Sequence, residues 1–408
     1  MLEEGEEPVE IEAFEITASS TKVEVDVPAL FTPPEGVENP ADICPGLVGN
    51  EGMKELILCA ICCLDTRYLR ETAVPMLVVG QSGGGKSTLQ HGIKKLFGSY
   101  ADIYGVDAIT PAQLMGQVKG SGKTKKVHKY SLSTLALFDE INKWQMNYLE
   151  GVLIPSFGAE QGVRVRSGET IDTSDWKCLP IGTLLPYWQD FEGKGSDASK
   201  RVHDIEQIMR RCIILRLEDS AAGPELLNSF VDATAAKLFS NIKYDAGIDE
   251  GSNRKRVKEV VLNAQELLGI GIYGKGDVPG WDAHKVNSAG WGGTREGMTG
   301  AEIQAEFDEA KEYLTDLSRR IVFSPRVVYD RQFVYSSLKL SKGMSARYGR
   351  PQTTAADVMR VCSIIEMHAK TSGILMDLCP HCDKAIKPDL NRCPLCKNKI
   401  QSKEENAR

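Results

Sequence analysis

The sequence predicts an α/β protein: a phosphate-binding core with a parallel sheet and helices on both faces, then a helical domain, then a small metal-stapled module. Three stretches carry this expectation. Val78–Thr88, VVGQSGGGKST, reads as a buried strand, a glycine loop and a helix start. Leu135–Glu140, LALFDE, reads as an apolar strand ending in two acids. Cys379, Cys382, Cys393 and Cys396 form two Cys-x-x-Cys pairs separated by ten residues.

The first stretch fills the four fixed positions of a phosphate-binding loop, G-x-x-x-x-G-K-[ST], with Gly80, Gly85, Lys86 and Ser87. Glycines let successive backbone N–H groups turn inward, and the following helix start adds partial positive charge. The expected nucleotide-binding set is Gly80, Gln81, Ser82, Gly83, Gly84, Gly85, Lys86, Ser87 and Thr88. Lys86 would reach the β- and γ-phosphates, and Ser87 would ligate Mg²⁺. In the second stretch Asp139 would hold that ion through water, and Glu140 would polarise the attacking water.

Bulk properties limit the rest. A chain of 408 residues suggests two or three domains. Its 42% hydrophobic and 26% charged content is that of a soluble globular protein. No stretch approaches a membrane span, and the start MLEEGEE is acidic where a secretory leader would be basic, so the expectation is cytoplasmic, with no membrane partner. A net charge of −7 supplies no global basic field, so nucleic-acid contact would need local patches. Of eleven cysteines, four carry metal spacing. The others, such as Cys59, Cys62, Cys63 and Cys178, lie in apolar runs and read as buried free thiols.

In chain order, residues 1–42 form an acidic extension with short β-type alternation. Residues 43–72 hold a glycine turn, with Asn50 placed to cap, and an apolar helix. Strand Met76–Val79 precedes the loop, and Thr88–Phe97 continues its helix. Strand Ile103–Ala108 and a short helix opened by Pro111 follow. Gly116–Lys129 then carries Lys119, Lys123, Lys125, Lys126, His128 and Lys129. It reads either as a nucleic-acid-contacting loop or as a solvated surface loop. Gly122-Lys123-Thr124 is no second phosphate loop, because Gln117 stands where glycine is required.

Ile141–Phe157 reads as a helix. Gly162–Ile171 reads as a hairpin with Arg164 and Arg166 on one face, open either to phosphate or to solvent. Strand Trp176–Thr183 is followed by a polar, loop-like stretch over 187–207. Strand Ile208–Leu217 is entered by Arg210 and Arg211. A helix over Arg254–Leu268 lies within a Gly- and Trp-rich segment. Helices over Ala301–Leu317, from Ser324 towards Arg347, and from Thr353 or Thr354 onward form a separate group. The two cysteine pairs fit a tetrahedral four-thiolate Zn²⁺ site, with His381 pointing outward. Such a module could staple the chain, or dock DNA or a protein.

The order of phosphate loop, acid strand, hairpin, strand, arginine pair and Ser324-Pro325-Arg326 resembles AAA+ ATPases, in the branch of the minichromosome-maintenance (MCM) helicases and MoxR-type ATPases. The resemblance covers roughly 43–235 and 305–372. Ile43-Cys44-Pro45 through Lys54 is similar to the segment opening the MCM motor. Asp139-Glu140-Ile141-Asn142-Lys143 lies between the MCM and MoxR forms.

The resemblance implies 43–235 as the AAA+ core and 305–372 as a helical lid; outside it, 1–42 reads as an acidic N-terminal extension, 236–304 as a helical and Gly-rich insertion, and 373–408 as a zinc ribbon and tail. It implies Arg210, or its neighbour Arg211, as a finger reaching the adjacent subunit's nucleotide, hence a homo-hexameric ring. It implies Arg326 as a lid arginine sensing the γ-phosphate, and Arg166 near a DNA-contacting position. Catalytic work would fall to Lys86, Asp139, Glu140, Arg210 and Arg326. Two departures stand out. The sensor 1 strand ends Gly182-Thr183-Leu184-Leu185-Pro186 without Asn, leaving Thr183 as the expected water-orienting group or hydrolysis slow. A long N-terminal nucleic-acid-binding region is also absent from the pattern. The implied activity is an ATP-driven ring motor on DNA. A MoxR-like remodeller of a protein partner and a non-hydrolysing nucleotide-gated scaffold are the alternatives.

Overall fold

The computed structural model describes residues 42–47, 49–66, 68–105, 117–119, 126–128, 132–144, 149–158, 163–166, 169–172, 178–186, 196–217, 250–268, 300–324, 327–328, 331–350, 353–387 and 390–400. The chain enters through helix α1 (Glu51–Cys62) and the single turn α2 (Leu69–Thr72). Strand β1 (Met76–Val79) runs into the glycine loop and α3 (Lys86–Phe97). β2 (Ala101–Tyr104), the short antiparallel pair β3 (Gln117–Lys119) and β4 (Lys126–His128), and β5 (Leu135–Phe138) follow. After the turn α4 (Ile154–Phe157), β6 (Val163–Arg166) and β7 (Glu169–Asp172) pair as the expected hairpin. β8 (Leu179–Leu184), α5 (Ser196–Met209) and β9 (Ile213–Arg216) complete the core.

Five of these strands form one parallel sheet in the order β2-β5-β8-β1-β9. Every residue of β1, β5 and β8 is buried. Successive side chains point to opposite faces, so continuous burial means that both faces are covered. The apolar runs MLVV, LALF and LPIGTL suit that position.

α1 is buried along most of its length. Asn50 stands at its N-cap position but makes no side-chain cap bond. It instead takes a left-handed conformation, φ 60°, which Asn tolerates better than most residues and which turns the chain into the helix. The ammonium of Lys54, only 4% exposed, is held by Asp42 Oδ2 at 2.8 Å and Glu51 Oε1 at 3.2 Å. Asp42 also accepts from the Cys44 N–H at 2.7 Å, which fixes the entry segment.

Further local expectations are corrected. The helix expected over Ile141–Phe157 is not continuous, since Ile141–Lys143 is a separate 3-10 turn followed by extended Trp144. The strand expected over Ile208–Leu217 begins only at Ile213, because Ile208 and Met209 belong to α5. The stretch expected to be loop-like holds α5, whose buried Ile205, Ile208 and Met209 recur at helical spacing. Its abundance of charged residues conceals that stripe. Ser324 does not open a helix either. It closes the short strand β10 (Val322–Ser324), paired antiparallel with β11 (Val327–Val328), and helix α8 begins only at Arg331.

Four long helices pack with the sheet in one continuous core: α6 (Glu250–Leu267), α7 (Gly300–Arg320), α8 (Arg331–Arg347) and α9 (Ala355–Thr371). α8 lies against α1, α6 and α9, while α9 lies against β9. The α1–α8 approach is close because Gly343 carries no side chain, and a Cβ there would collide with the Cys59 carbonyl. Small buried Ser337, Ser341 and Ser345 lie on the other side of α8, away from Gly343. The expected capping threonine of α9 is Thr354, whose N–H and hydroxyl donate to Asp357 Oδ2 at 2.8 and 2.9 Å.

The chain ends in two small cysteine turns, the first closed by β12 (Asp377–Leu378) and β13 (Ala385–Ile386). Among the described residues no helix is long and apolar enough to cross a membrane.

Candidate functional site

The glycine loop leaves β1 at the carboxyl end of the sheet, where parallel α/β sheets bind ligands. Its Gly80 N–H donates to Leu184 O at 3.1 Å. Three of its four glycines have a separate physical reason. A Cβ on Gly80 would lie 2.9 Å from Leu217 Cβ. Gly83 and Gly85 have φ of +79° and +97°, and a Cβ on Gly85 would lie 2.7 Å from Leu47 Cδ1. The entry segment thus packs directly on the loop.

α3 begins at Lys86, with Ser87 and Thr88 exposed in its first turn. The first N–H groups of that turn have no intrahelical acceptor and are available to an anion. Lys86 Nζ is buried and donates to Gly80 O at 2.8 Å and Gln81 O at 2.7 Å. The loop is a cradle that only glycine can form, with a cation at its rim. These residues could receive a phosphate group.

β8 separates β1 from β5, so the acids stand about two strand spacings, roughly 10 Å, from the strand that carries the loop. Both lie just past the carboxyl end of β5. The Asp139 N–H donates to Tyr104 O at 2.9 Å, and Asp139 O accepts from Trp144 Nε1 at 2.8 Å. Glu140 has φ 41° and ψ 62°, a left-handed conformation that is uncommon for a residue with a side chain. Its carboxylate is paired with Lys143.

Thr183 is fully buried and lies between the two acids. Its hydroxyl donates to Asp139 Oδ1 at 3.0 Å and accepts from the Glu140 N–H at 2.8 Å. For the expected water-orienting role this leaves Thr183 only an acceptor lone pair, because its one proton is used on Asp139. Asn142 Oδ1 accepts from the Leu185 N–H at 3.4 Å, a second tie between the acid turn and β8.

Arg210 is not part of this cluster. It is exposed in the turn before β9, and Ile213 enters the sheet opposite Met76, at the amino end. About 13 Å of strand therefore lies between it and its own chain's loop. Arg211 is half-buried and donates from Nη1 to Gln207 O at 2.8 Å. Arg326, Lys123, Lys125 and Lys129 lie outside the described residues. Lys119, Lys126 and His128 fall on β3 and β4, and Arg164 and Arg166 on β6.

The candidate metal centre is separate. Cys379, Cys382, Cys393 and Cys396 place their sulfurs within 4.8 Å of one another. Cys379 and Cys396 are 3.7 Å apart, as are Cys382 and Cys393. Tetrahedral bonds of about 2.3 Å to Zn²⁺ require edges of roughly 3.8 Å, whereas a disulfide requires about 2.05 Å. The four thiols could hold a metal such as zinc.

The two cysteine turns repeat one geometry. The residue after each pair, Asp383 and Lys397, is left-handed, and its N–H donates to the first cysteine's carbonyl at 2.8 and 3.0 Å. The Cys396 and Leu395 N–H groups point at Cys393 Sγ and pull its thiol down to about 6. By contrast, burial pushes the core thiols of Cys59 and Cys178 up to about 12. Among the described residues, no sequence signal pointed to the contacts of Asn142 or Leu217; both depend on which strands become neighbours. A scan against protein-family models and a comparison with curated proteins both find no match.

Proposed function

We propose that this chain is an ATP-hydrolysing P-loop motor of AAA+ type that acts on DNA as a ring. The observation carrying this reading is the juxtaposition of the Gly80–Thr88 cradle with the Asp139–Glu140 turn at one end of a parallel sheet. A cradle alone would only bind phosphate. An acid pair one intervening strand away supplies what hydrolysis adds: a place for a metal and a base.

Mg²⁺ held between Ser87 and Asp139 would neutralise charge on the β- and γ-phosphates. Lys86 would exchange its two loop carbonyls for phosphate oxygens. Glu140 would accept a proton from the attacking water. Arg210 is too far along the sheet to serve its own loop, so its role would be on a neighbouring subunit, which supports a homo-hexamer or other closed ring. Arg326 would complete the site from the helical lid. DNA would be met by the Lys119–Lys129 segment and by Arg164 and Arg166, and the four-cysteine module would hold Zn²⁺.

The test is steady-state ATP turnover with and without single- and double-stranded DNA at low salt. The expected result is DNA-stimulated turnover that falls steeply with added salt, lost in Glu140→Gln while ATP stays bound. Full turnover by Glu140→Gln would reject the assigned base, and absence of DNA binding at low salt would reject the DNA motor. The net charge of −7 favours a second reading, a MoxR-like remodeller of a protein partner, whose turnover would rise with protein and not with DNA.

A further inference from the structure

We infer that Thr183 is the positioning residue of the acid pair, setting where both Asp139 and Glu140 point. The inference rests on the hydrolytic reading above. Among the described residues, the Thr183 hydroxyl is the one group hydrogen-bonded to the Asp139 carboxylate, and it engages Oδ1 alone. The carboxylate is thereby turned about its Cβ–Cγ bond into one orientation, with Oδ2 left as the oxygen that can face a metal-bound water. The same hydroxyl accepts from the Glu140 N–H.

That second bond acts on the backbone. Glu140 sits at φ 41°, ψ 62°, a conformation costing about 1–2 kcal/mol for a residue with a Cβ. It persists because several bonds hold it. The Lys143 N–H donates to Glu140 O at 2.8 Å, Lys143 pairs with the carboxylate, and Thr183 fixes the amide. Removing the hydroxyl would leave the Glu140 N–H and Asp139 Oδ1 without partners and free the turn to relax. The strand that supplies Thr183 is clamped on both sides, by β1 and β5, so its hydroxyl is a fixed reference point. Thr183 touches no reacting atom; it acts through the two acids.

The experiment compares Thr183→Val and Thr183→Ser with wild type, measuring Kd for ATP, kcat, KM and the Mg²⁺ concentration giving half-maximal turnover. Val keeps the shape and loses both hydrogen bonds; Ser keeps both. Thr183→Val is expected to bind ATP within about threefold of wild type while kcat falls about 100-fold, with half-maximal Mg²⁺ shifted upward. Thr183→Ser is expected to recover most of kcat and the wild-type Mg²⁺ dependence. Wild-type kcat and Mg²⁺ dependence in Thr183→Val would overturn the role, as would a folded Thr183→Ser as impaired as Thr183→Val. Should Thr183→Val not fold, Thr183→Ala removes the same hydroxyl without placing a methyl against the carboxylate, and the same outcomes decide. An active wild type with an unaffected valine variant rejects Thr183 alone. A wild type that binds ATP without turning it over rejects the hydrolytic reading and the inference with it.

Discussion

The glycine loop and the four-cysteine module are both candidate binding sites, and they are built by opposite means. The loop would bind with backbone. Its shape comes from positive φ at Gly83 and Gly85 and from close packing against Leu47 and Leu217, and a large shared core holds it in place. The module would bind with side chains. Its own buried core is Cys379, Ile386 and Cys393, with Cys382, Leu390, Cys396 and Ile400 packed against it only partly buried. Burying one isoleucine contributes about 2–3 kcal/mol, while ordering backbone costs about 1–2 kcal/mol per residue. An ion at the four thiols could act as the module's core, whereas the loop is shaped by packing with no ligand in it. The comparison teaches that one site should survive the loss of its ligand and the other should not.

The strongest way to break the comparison is to remove the metal. Structural Zn²⁺ contributes about 10–16 kcal/mol in small modules, so chelation or Cys393→Ser should release one ion per chain and unfold the module. Metal analysis with limited proteolysis should find new cleavage between residues 379 and 400 and an intact sheet core. Collapse of the sheet in the same transition would show that the two regions are not independent.

Substitution in the loop should do the reverse. Gly85→Ala forces a Cβ into a left-handed position already crowded by Leu47, with a local cost of about 1–3 kcal/mol. ATP binding should fall at least tenfold while the module's metal content stays unchanged. Wild-type ATP affinity in this variant would contradict the cradle.

The smaller effect sharpens how the loop depends on its core. His368, on α9, accepts the Arg216 N–H on Nδ1 at 3.1 Å, which satisfies a backbone donor on the sheet's edge strand. Burial pushes its imidazole down to about 4. Its proton therefore sits on Nε2, which has no partner among the described residues. Because the folded value lies below the ordinary 6.5, the unfolded chain binds the proton first as pH falls. The stability contributed by neutral His368 is intact above about pH 6.5, declines between 6.5 and 4, and is lost below; the full loss is up to about 3 kcal/mol. Denaturant unfolding of wild type and His368→Gln across that window should converge as pH drops. Parallel pH profiles would remove His368 from the account.

Legibility in the sequence followed the same division. The glycine loop, the LALFDE strand, the Val163–Asp172 hairpin and the cysteine pairs could be read directly, since each is a local pattern with a local chemical reason. α5 was hidden because its apolar stripe is thin among charged residues, and Ser324 misled because a Ser-Pro pair also suits a helix start. Asn50 pointed to a cap by its type, and its left-handed backbone could not be seen from type alone.

What the sequence by itself determined is therefore the chemistry available: glycines at the spacing of a phosphate loop, a lysine and serine behind them, two acids after an apolar strand, and four thiols at metal spacing. Tertiary structure alone decided the sheet order that places β8 between the loop and the acids, the use of Thr183's single hydroxyl proton on Asp139, and the separation of Arg210 from its own loop by the length of the sheet. The physical reason is range. Loop and knuckle conformations are set by residues a few positions apart. A hydrogen bond between Thr183 and Asp139 exists only because two strands distant in sequence are held side by side by the burial of both faces of the sheet.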